Sequence, residues 1–201
     1  PEGGEIVKNK VTGEPTGILK DKAMDLVSKY LPQRTEQEYF DACLATMNLA
    51  KKFGVTSIHD IAYENDFRIY QKLLKQNKLT VRIYTRLPID KCNSLIECEF
   101  ENNFGNELLK LGGLKAFADG SLGSYTAWFF EPYEDDKTSF GLATDILANG
   151  NLEKWAILSD KNNLQLSIHA IGDKAISKVL DIAEKAEIEN GKKDRRFRIE
   201  H

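Results

Sequence analysis

From position 164 to 168 apolar and polar residues alternate: Leu164, Leu166 and Ile168 against Gln165 and Ser167. A period of two predicts a strand, and this one runs straight into His169. After Gly172 the period lengthens. Ala175, Ile176, Val179, Leu180, Ile182 and Ala183 share one helix face, and Asp173 stands where an N-cap belongs. The stretch LQLSIHAIGD thus puts His169 where a strand ends and a turn into a helix begins. In parallel α/β proteins that edge of the sheet is where ligands bind. The final residues, RFRIEH, repeat the design and finish on His201.

The same reading extends along the chain. Residues 1–17 are turn-rich, with Gly3, Gly4, Gly13, Pro15 and Gly17. Ile18, Ala23, Leu26, Val27 and Tyr30 fall at helical spacing, predicting a helix over 18–30 that Pro32 ends. Thr35 and Glu38 form a T-x-x-E capping box ahead of an amphipathic face of Phe40, Cys43, Leu44, Met47 and Ala50, which Gly54 closes. GVTSIHD is a short strand running into His59 and Asp60. Helices are expected over 66–76, 90–100 and 106–111, and strands over 79–87 and 114–118. A loop follows from Gly120 to about Asn151, carrying Tyr125, Trp128, Phe129, Phe130 and Tyr133 and the acids Glu134, Asp135 and Asp136. Loops that long are functional or mobile; this one is read either as a lid over an apolar substrate or as packing against the helices. A short helix over 152–158 precedes the LQLSIH strand, and a helix to about Asn190 precedes the last one.

Strands therefore begin near 54, 79, 114, 164 and 195, with helices between them. Such βα alternation implies a parallel sheet with right-handed crossovers. No G-x-G-x-x-G and no P-loop follows any strand, which favours part of a barrel over a doubly wound sheet.

Composition narrows the function. Hydrophobic residues are 41% and charged residues 29%, an ordinary soluble profile, and a net charge of −3 leaves no basic footprint for nucleic acid. No apolar run approaches the ~20 residues that span a bilayer, and no signal peptide is visible. Three cysteines, Cys43, Cys92 and Cys98, lack zinc or redox spacing, so a reduced, cytoplasmic setting is expected. The chain has no initiator Met and stops at the tip of an apparent strand, so residues 1–201 are expected to be a fragment of a longer protein.

Potential chemistry sits at the strand ends. His59 with Asp60, His169 and His201 account for every histidine of the chain, and a lysine, Lys115, interrupts the apolar run Leu114 to Ala118. Each histidine read alone is a polar residue at an exposed element end. Three together, beside an inner-strand lysine, point to metal ligation or acid–base work. A buried lysine is unfavourable unless paired, has a lowered pKa, and can take up carbon dioxide as an anionic carbamate ligand. The alternative is a lysine that snorkels outward. Alternation puts Lys115 and Phe117 on one face and Leu114, Ala116 and Ala118 on the other.

PEGGEI, GEPTGIL, GVTSIHD, LGGLKAFADGSLGS, the EPYEDD loop, SIHAIGD and RIEH together resemble the amidohydrolase superfamily, in its YtcJ-like branch of metal-dependent hydrolases (amidohydrolase family 3). The resemblance implies a (β/α)₈ TIM barrel with a small β-sandwich. The chain would cover about strands two to six, lacking the sandwich, the first strand and the last two strands. It implies metal ligation by Lys115 on the fourth strand, His169 on the fifth and His201 on the sixth, with one or two divalent ions, zinc foremost. No H-x-H pair occurs in this chain, and the eighth-strand aspartate that would act as general base lies outside it, so no catalytic residue is assigned. Asp119, Ser121 and Ser124 are candidates to line the substrate pocket or, equally, are turn chemistry. Asp60 either orients a ligand from behind or caps a loop. The implied reaction is hydrolysis of a non-peptide amide or other C–N bond of a small molecule by a metal-activated water. This fragment alone would then be inactive, and a non-catalytic remnant is the alternative. The raw edges of a partial barrel would invite pairing with another copy.

Overall fold

The computed structural model describes residues 4–201; Pro1, Glu2 and Gly3, which belong to the turn-rich start and to the PEGGEI motif, lie outside the described residues. Two antiparallel strands, β1 (Gly4–Lys8) and β2 (Pro15–Asp21), form a separate hairpin with Glu5 opposite Lys20. The expected helix over 18–30 is thereby shortened to a 3-10 turn at Lys22–Met24 and α1 (Asp25–Ser28). Ile18 and Leu19 belong to the hairpin. Of the remaining apolar set Ala23 is buried, whereas Leu26, Val27 and Tyr30 are exposed. A helix without a packed face has little to hold it.

The expected capping box does form. Thr35 precedes α2 (Glu36–Lys52), the Glu38 carboxylate accepts from the Thr35 N–H at 2.6 Å, and the Glu38 N–H donates to Thr35 Oγ1 at 3.2 Å. Then come β3 (Ser57–Ile61), α3 (Glu64–Lys75), β4 (Arg82–Pro88), a 3-10 turn (Ile89–Lys91) and α4 (Cys92–Glu97). Where a helix was expected over 106–111 there is a tight reversal from β5 (Phe104–Gly105) into β6 (Leu109–Phe117). Asn106 Oδ1 accepts from the N–H groups of Leu108 and Leu109 at 2.9 and 3.0 Å, a local turn that competes with helix. Leu109 and Leu111 are buried on either side of a half-buried Lys110, a strand period. The chain ends with α5 (Asp145–Ala148), α6 (Asn151–Lys161), β7 (Leu166–His169), α7 (Asp173–Asn190) and β8 (Arg198–Glu200).

The main sheet runs β3-β4-β6-β7-β8, parallel throughout, with β5 added antiparallel to β6. Strands neighbour one another in chain order, as in a barrel, and the sheet is half of one. Two apolar cores form between the sheet and its helices. Phe40, Met47, Ile69, Leu73 and Ile83 join α2 and α3 to β4; Leu114, Ala116, Ile168, Ala156, Val179 and Ile182 join α6 and α7 to β6 and β7. As alternation required, Leu114, Ala116 and Ala118 face the helices, which leaves Lys115 and Phe117 to the inner face. Among the described residues no helix is long and apolar enough to cross a membrane.

Candidate metal and substrate site

Two carboxylates organise the inner face and the C-terminal edge of the sheet. The first is Glu200 on β8. Lys115, 2% exposed, donates from Nζ to Glu200 Oε2; Arg86 of β4 and Arg198 of β8 donate to Oε1, the latter at 2.7 Å. Burial alone would raise the Glu200 pKa, but the hydrogen bonds from Lys115 and Arg86 outweigh it and hold the carboxyl at about 2. Burial lowers the Lys115 pKa against the opposing pull of Glu200. The lysine therefore points inward as expected, but its charge is met by an ion pair rather than left uncompensated. Glu200 was not singled out in the sequence. The usable signal was a buried cation two strands away on a sheet of chain-order strands, which demands a nearby anion.

The second is Asp119, immediately after β6. Its carboxylate is fully buried and accepts the N–H groups of Trp128 (2.9 Å), Gly172 (2.8 Å) and Ile171 (3.1 Å). The His169 ring nitrogen Nε2 is 3.4 Å from Asp119 Oδ1. Burial would raise this pKa as well, and the hydrogen bonds from His169, Trp128, Gly172 and Ile171 hold it below the usual range. The whole side chain is turned into this cradle of donors, with none of it exposed. Of the other two candidate pocket residues, Ser121 is exposed and Ser124 half-buried; their hydroxyls lie 2.7 Å apart, and Ser124 Oγ is 2.6 Å from Thr126 Oγ1. They close the DGS turn on itself.

His169 ends β7 with its Nε2 2.7 Å from the Gly120 carbonyl. A carbonyl only accepts, so in the neutral ring Nε2 carries the proton and Nδ1 keeps its lone pair. The His201 ring is 4.5 Å from that of His169, and the Phe117 ring 5.3 Å from it. The two imidazoles thus converge at neighbouring strand ends. Lys115 lies on the same face, opposite Ser167, one pleat below the pair Phe117–His169.

His59 and Asp60 are elsewhere. His59 sits mid-strand rather than at a strand end, stacked on Tyr84 at 4.9 Å, three strands from β7. Asp60 faces the helices, where the Tyr70 hydroxyl donates to it at 2.8 Å, so it does not stand behind His169 or His201. Asp173 is the first residue of α7 rather than its cap, a place taken by Gly172; its carboxylate accepts the Phe130 N–H at 3.0 Å. The aromatic loop is accordingly docked on the start of α7, with Trp128 packed against the core and Lys174 Nζ 4.5 Å above its ring.

A divalent cation suits part of this set. His169 Nδ1 and the His201 ring offer imidazole nitrogens one strand apart, the donor type a divalent ion such as zinc takes. Lys115 offers no lone pair while it is an ammonium held by Glu200. Among the described residues no cluster of three or more histidine, cysteine or carboxylate side chains is assembled to hold a metal.

The parallel half-barrel matches part of the barrel of solved structures. Structures described as uncharacterized metal-dependent hydrolases from Pyrococcus horikoshii and Pyrococcus furiosus superpose with TM-scores of 0.76 and 0.74, over 98% and 96% of this chain and 39% of each of theirs, at 27% and 24% identity. The amidohydrolase family model matches residues 1–201, and the chain belongs to that family. It is 36% identical to Protein LONG AFTER FAR-RED 3 of Arabidopsis thaliana over 213 positions and 32% identical to the putative amidohydrolase YtcJ of Bacillus subtilis over 201. These matches take in 100% and 97% of the chain but 36% and 37% of the relatives, so it spans little more than a third of their length.

Proposed function

We propose that the protein containing this chain hydrolyses a non-peptide amide or another C–N bond of a small molecule, with His169, His201 and Lys115 as ligands of one or two divalent ions, zinc foremost. The observation that carries the reading is the pair of imidazoles 4.5 Å apart at adjacent strand ends, with His169 Nε2 committed to a carbonyl and Nδ1 left over. A cation held there would polarise the scissile carbonyl and acidify a water. The chain's own part is positional. Gly120 and Asp119 orient His169, Phe117 screens one side of it, and Glu200 holds Lys115 until another anion-forming partner competes for it. A cavity of about 430 Å³ beside Lys115, lined by Ile61, Pro88, Phe117, Ile146 and Trp155, suits a substrate with an apolar substituent. The outer edges of β3 and β8 have no strand partner among the described residues, and we propose that the remainder of the protein or a second copy covers them.

The test is elemental analysis of the full-length protein with a screen of formamides, cyclic amides and N-acyl amino acids. The expected result is about one to two bound divalent ions per chain and turnover of at least one class, both lost in His169→Ala. A protein that binds no divalent ion and turns over none of the three would support the second reading, a site that never assembles, which the saturated Lys115–Glu200 pair favours.

A further inference from the structure

We propose that Asp119 is a positioning residue, whose buried carboxylate ties the placement of the loop at 120–144 to the orientation and tautomer of His169. Its ligand consequence rests on the functional reading above; its effect on the ring does not.

Every group around this carboxylate is a donor. Oδ1 takes the Ile171 N–H at 3.1 Å and faces His169 Nε2 at 3.4 Å; Oδ2 takes Trp128 at 2.9 Å and Gly172 at 2.8 Å. The donors come from the aromatic loop, from the turn between β7 and α7, and from the strand-end histidine. An asparagine is isosteric yet cannot replace it. Whichever way its amide is turned, an NH₂ faces a backbone N–H, at Ile171 on one side or at Trp128 and Gly172 on the other.

The surroundings leave no room to adjust. A Cβ on Gly172 would lie 1.9 Å from the Trp128 carbonyl, and one on Gly120 1.9 Å from Thr126 Oγ1. Gly120 matters twice, because its carbonyl is the acceptor for His169 Nε2 at 2.7 Å. Asp119 pins the turn whose next residue holds the ring. Displacing the carboxylate moves the loop and frees the imidazole to present either nitrogen. Asp173 offers an internal control. Its carboxylate anchors the same loop through the Phe130 N–H at 3.0 Å, with no hydrogen bond to His169.

The test compares Asp119→Asn and Asp173→Ala in the full-length protein. Zn²⁺ affinity is read by competition with a fluorescent chelator, and loop release by the rate of tryptic cleavage at the exposed Lys137. Asp119→Asn is expected to speed cleavage and to weaken Zn²⁺ by about tenfold or more, the usual effect of losing a group behind a ligand. Asp173→Ala is expected to speed cleavage with Zn²⁺ affinity within about twofold, since it leaves the groups behind the ligand in place. A folded Asp119→Asn with wild-type Zn²⁺ affinity would overturn the proposal. Histidine-selective ¹⁵N NMR of the metal-free protein decides independently of any metal. Wild type should show His169 as the Nε2–H tautomer, and Asp119→Asn should show a mixture or the Nδ1–H form; an Nδ1–H ring in wild type sinks the idea. If neither protein binds Zn²⁺ while the tautomer shifts as described, the functional reading fails and the positioning role stands. Should Asp119→Asn not fold, Asp119→Ser, which keeps one acceptor and leaves room for a water, is read in the same way.

Discussion

Glu200 and Asp119 are both enclosed carboxylates surrounded by donors, and they are satisfied by different kinds of group. Glu200 is met by three long side chains, Arg86, Lys115 and Arg198, from three strands. Asp119 is met by backbone N–H groups of Trp128, Ile171 and Gly172 and by one ring. A lysine or arginine can rotate to a new partner while the fold stays intact. A backbone N–H moves only if its segment moves. The difference separates an exchangeable set of side-chain partners from a fixed backbone cradle; under the function proposed above, the first would suit a lysine that gives up Glu200 to become a ligand and the second a histidine held in one orientation.

The largest effect should come from breaking the charged cluster. Glu200→Gln leaves Lys115 and Arg86, 2% and 5% exposed, without their anion. Breaking a buried pair from one side costs about 3–5 kcal/mol, and the 18% exposure of the Glu200 side chain places the expectation near the lower end. Urea unfolding of the full-length protein measures it. A loss below about 1 kcal/mol, the range of surface pairs, would mean that the cluster is already solvated. The same carboxylate makes a pH prediction. Its pKa is about 2 in the fold against an ordinary value of 4.5 for a glutamate. A carboxyl depressed by folding stabilises fully above its unfolded pKa, and that contribution is lost as pH falls from about 4.5 toward about 2. Glu200→Gln should flatten the unfolding midpoint over that window; an unchanged slope would detach the acid sensitivity from this cluster.

How far these two regions were legible in the sequence follows from the range of the interactions. Period-two runs at 164–168 and 114–118 and the Thr35–Glu38 box report on neighbours a few residues away, so β6, β7 and α2 were readable, as was the inward face of Lys115. His169 and His201 were readable because each ends such a run, and their convergence needed only strands in chain order. The family motifs extended the reading to the barrel. Local pattern could not reveal Glu200 or the burial of Asp119, because their partners lie 85 residues away at Lys115 and 53 away at Gly172; the inward Lys115 called for an anion without saying which, and D-G-S by itself reads as a turn. The 18–30 and 106–111 helices failed for related reasons. A hairpin partner claimed one, and an Asn106 side chain turned the other into a strand.

The fixed cradle can be strained without touching either carboxylate. Gly172→Ala adds a methyl at 1.9 Å from the Trp128 carbonyl oxygen, although the φ of −68° at this position suits any residue. The penalty is therefore overpacking, about 1–3 kcal/mol, and it falls on the contact between loop and turn. Unfolding should shift by that amount and Lys137 should become more accessible to trypsin. If the variant unfolds like wild type, the loop yields easily and the description of Asp119 as held in a rigid frame is wrong.

The smallest expected effect is also the sharpest check on what enclosure contributes. Glu38 accepts backbone N–H at the start of α2, as Asp119 does at the start of α7, but in solvent. Its reciprocal partner is the Thr35 hydroxyl, which receives the Glu38 N–H at 3.2 Å. Thr35→Ala removes that acceptor and leaves an N–H that water can reach, so the loss should be about 1 kcal/mol. It should not alter Zn²⁺ binding or loop cleavage, because α2 packs on α3 and β4 through Phe40 and Met47, away from β7. The informative quantity is the ratio to Asp119→Asn, in which a donor is left facing a donor with no water to intervene, at about 1–3 kcal/mol for each buried group left unsatisfied. Equal losses from the two variants would mean that water already reaches Asp119, and the contrast between an enclosed and an exposed N–H cradle would collapse.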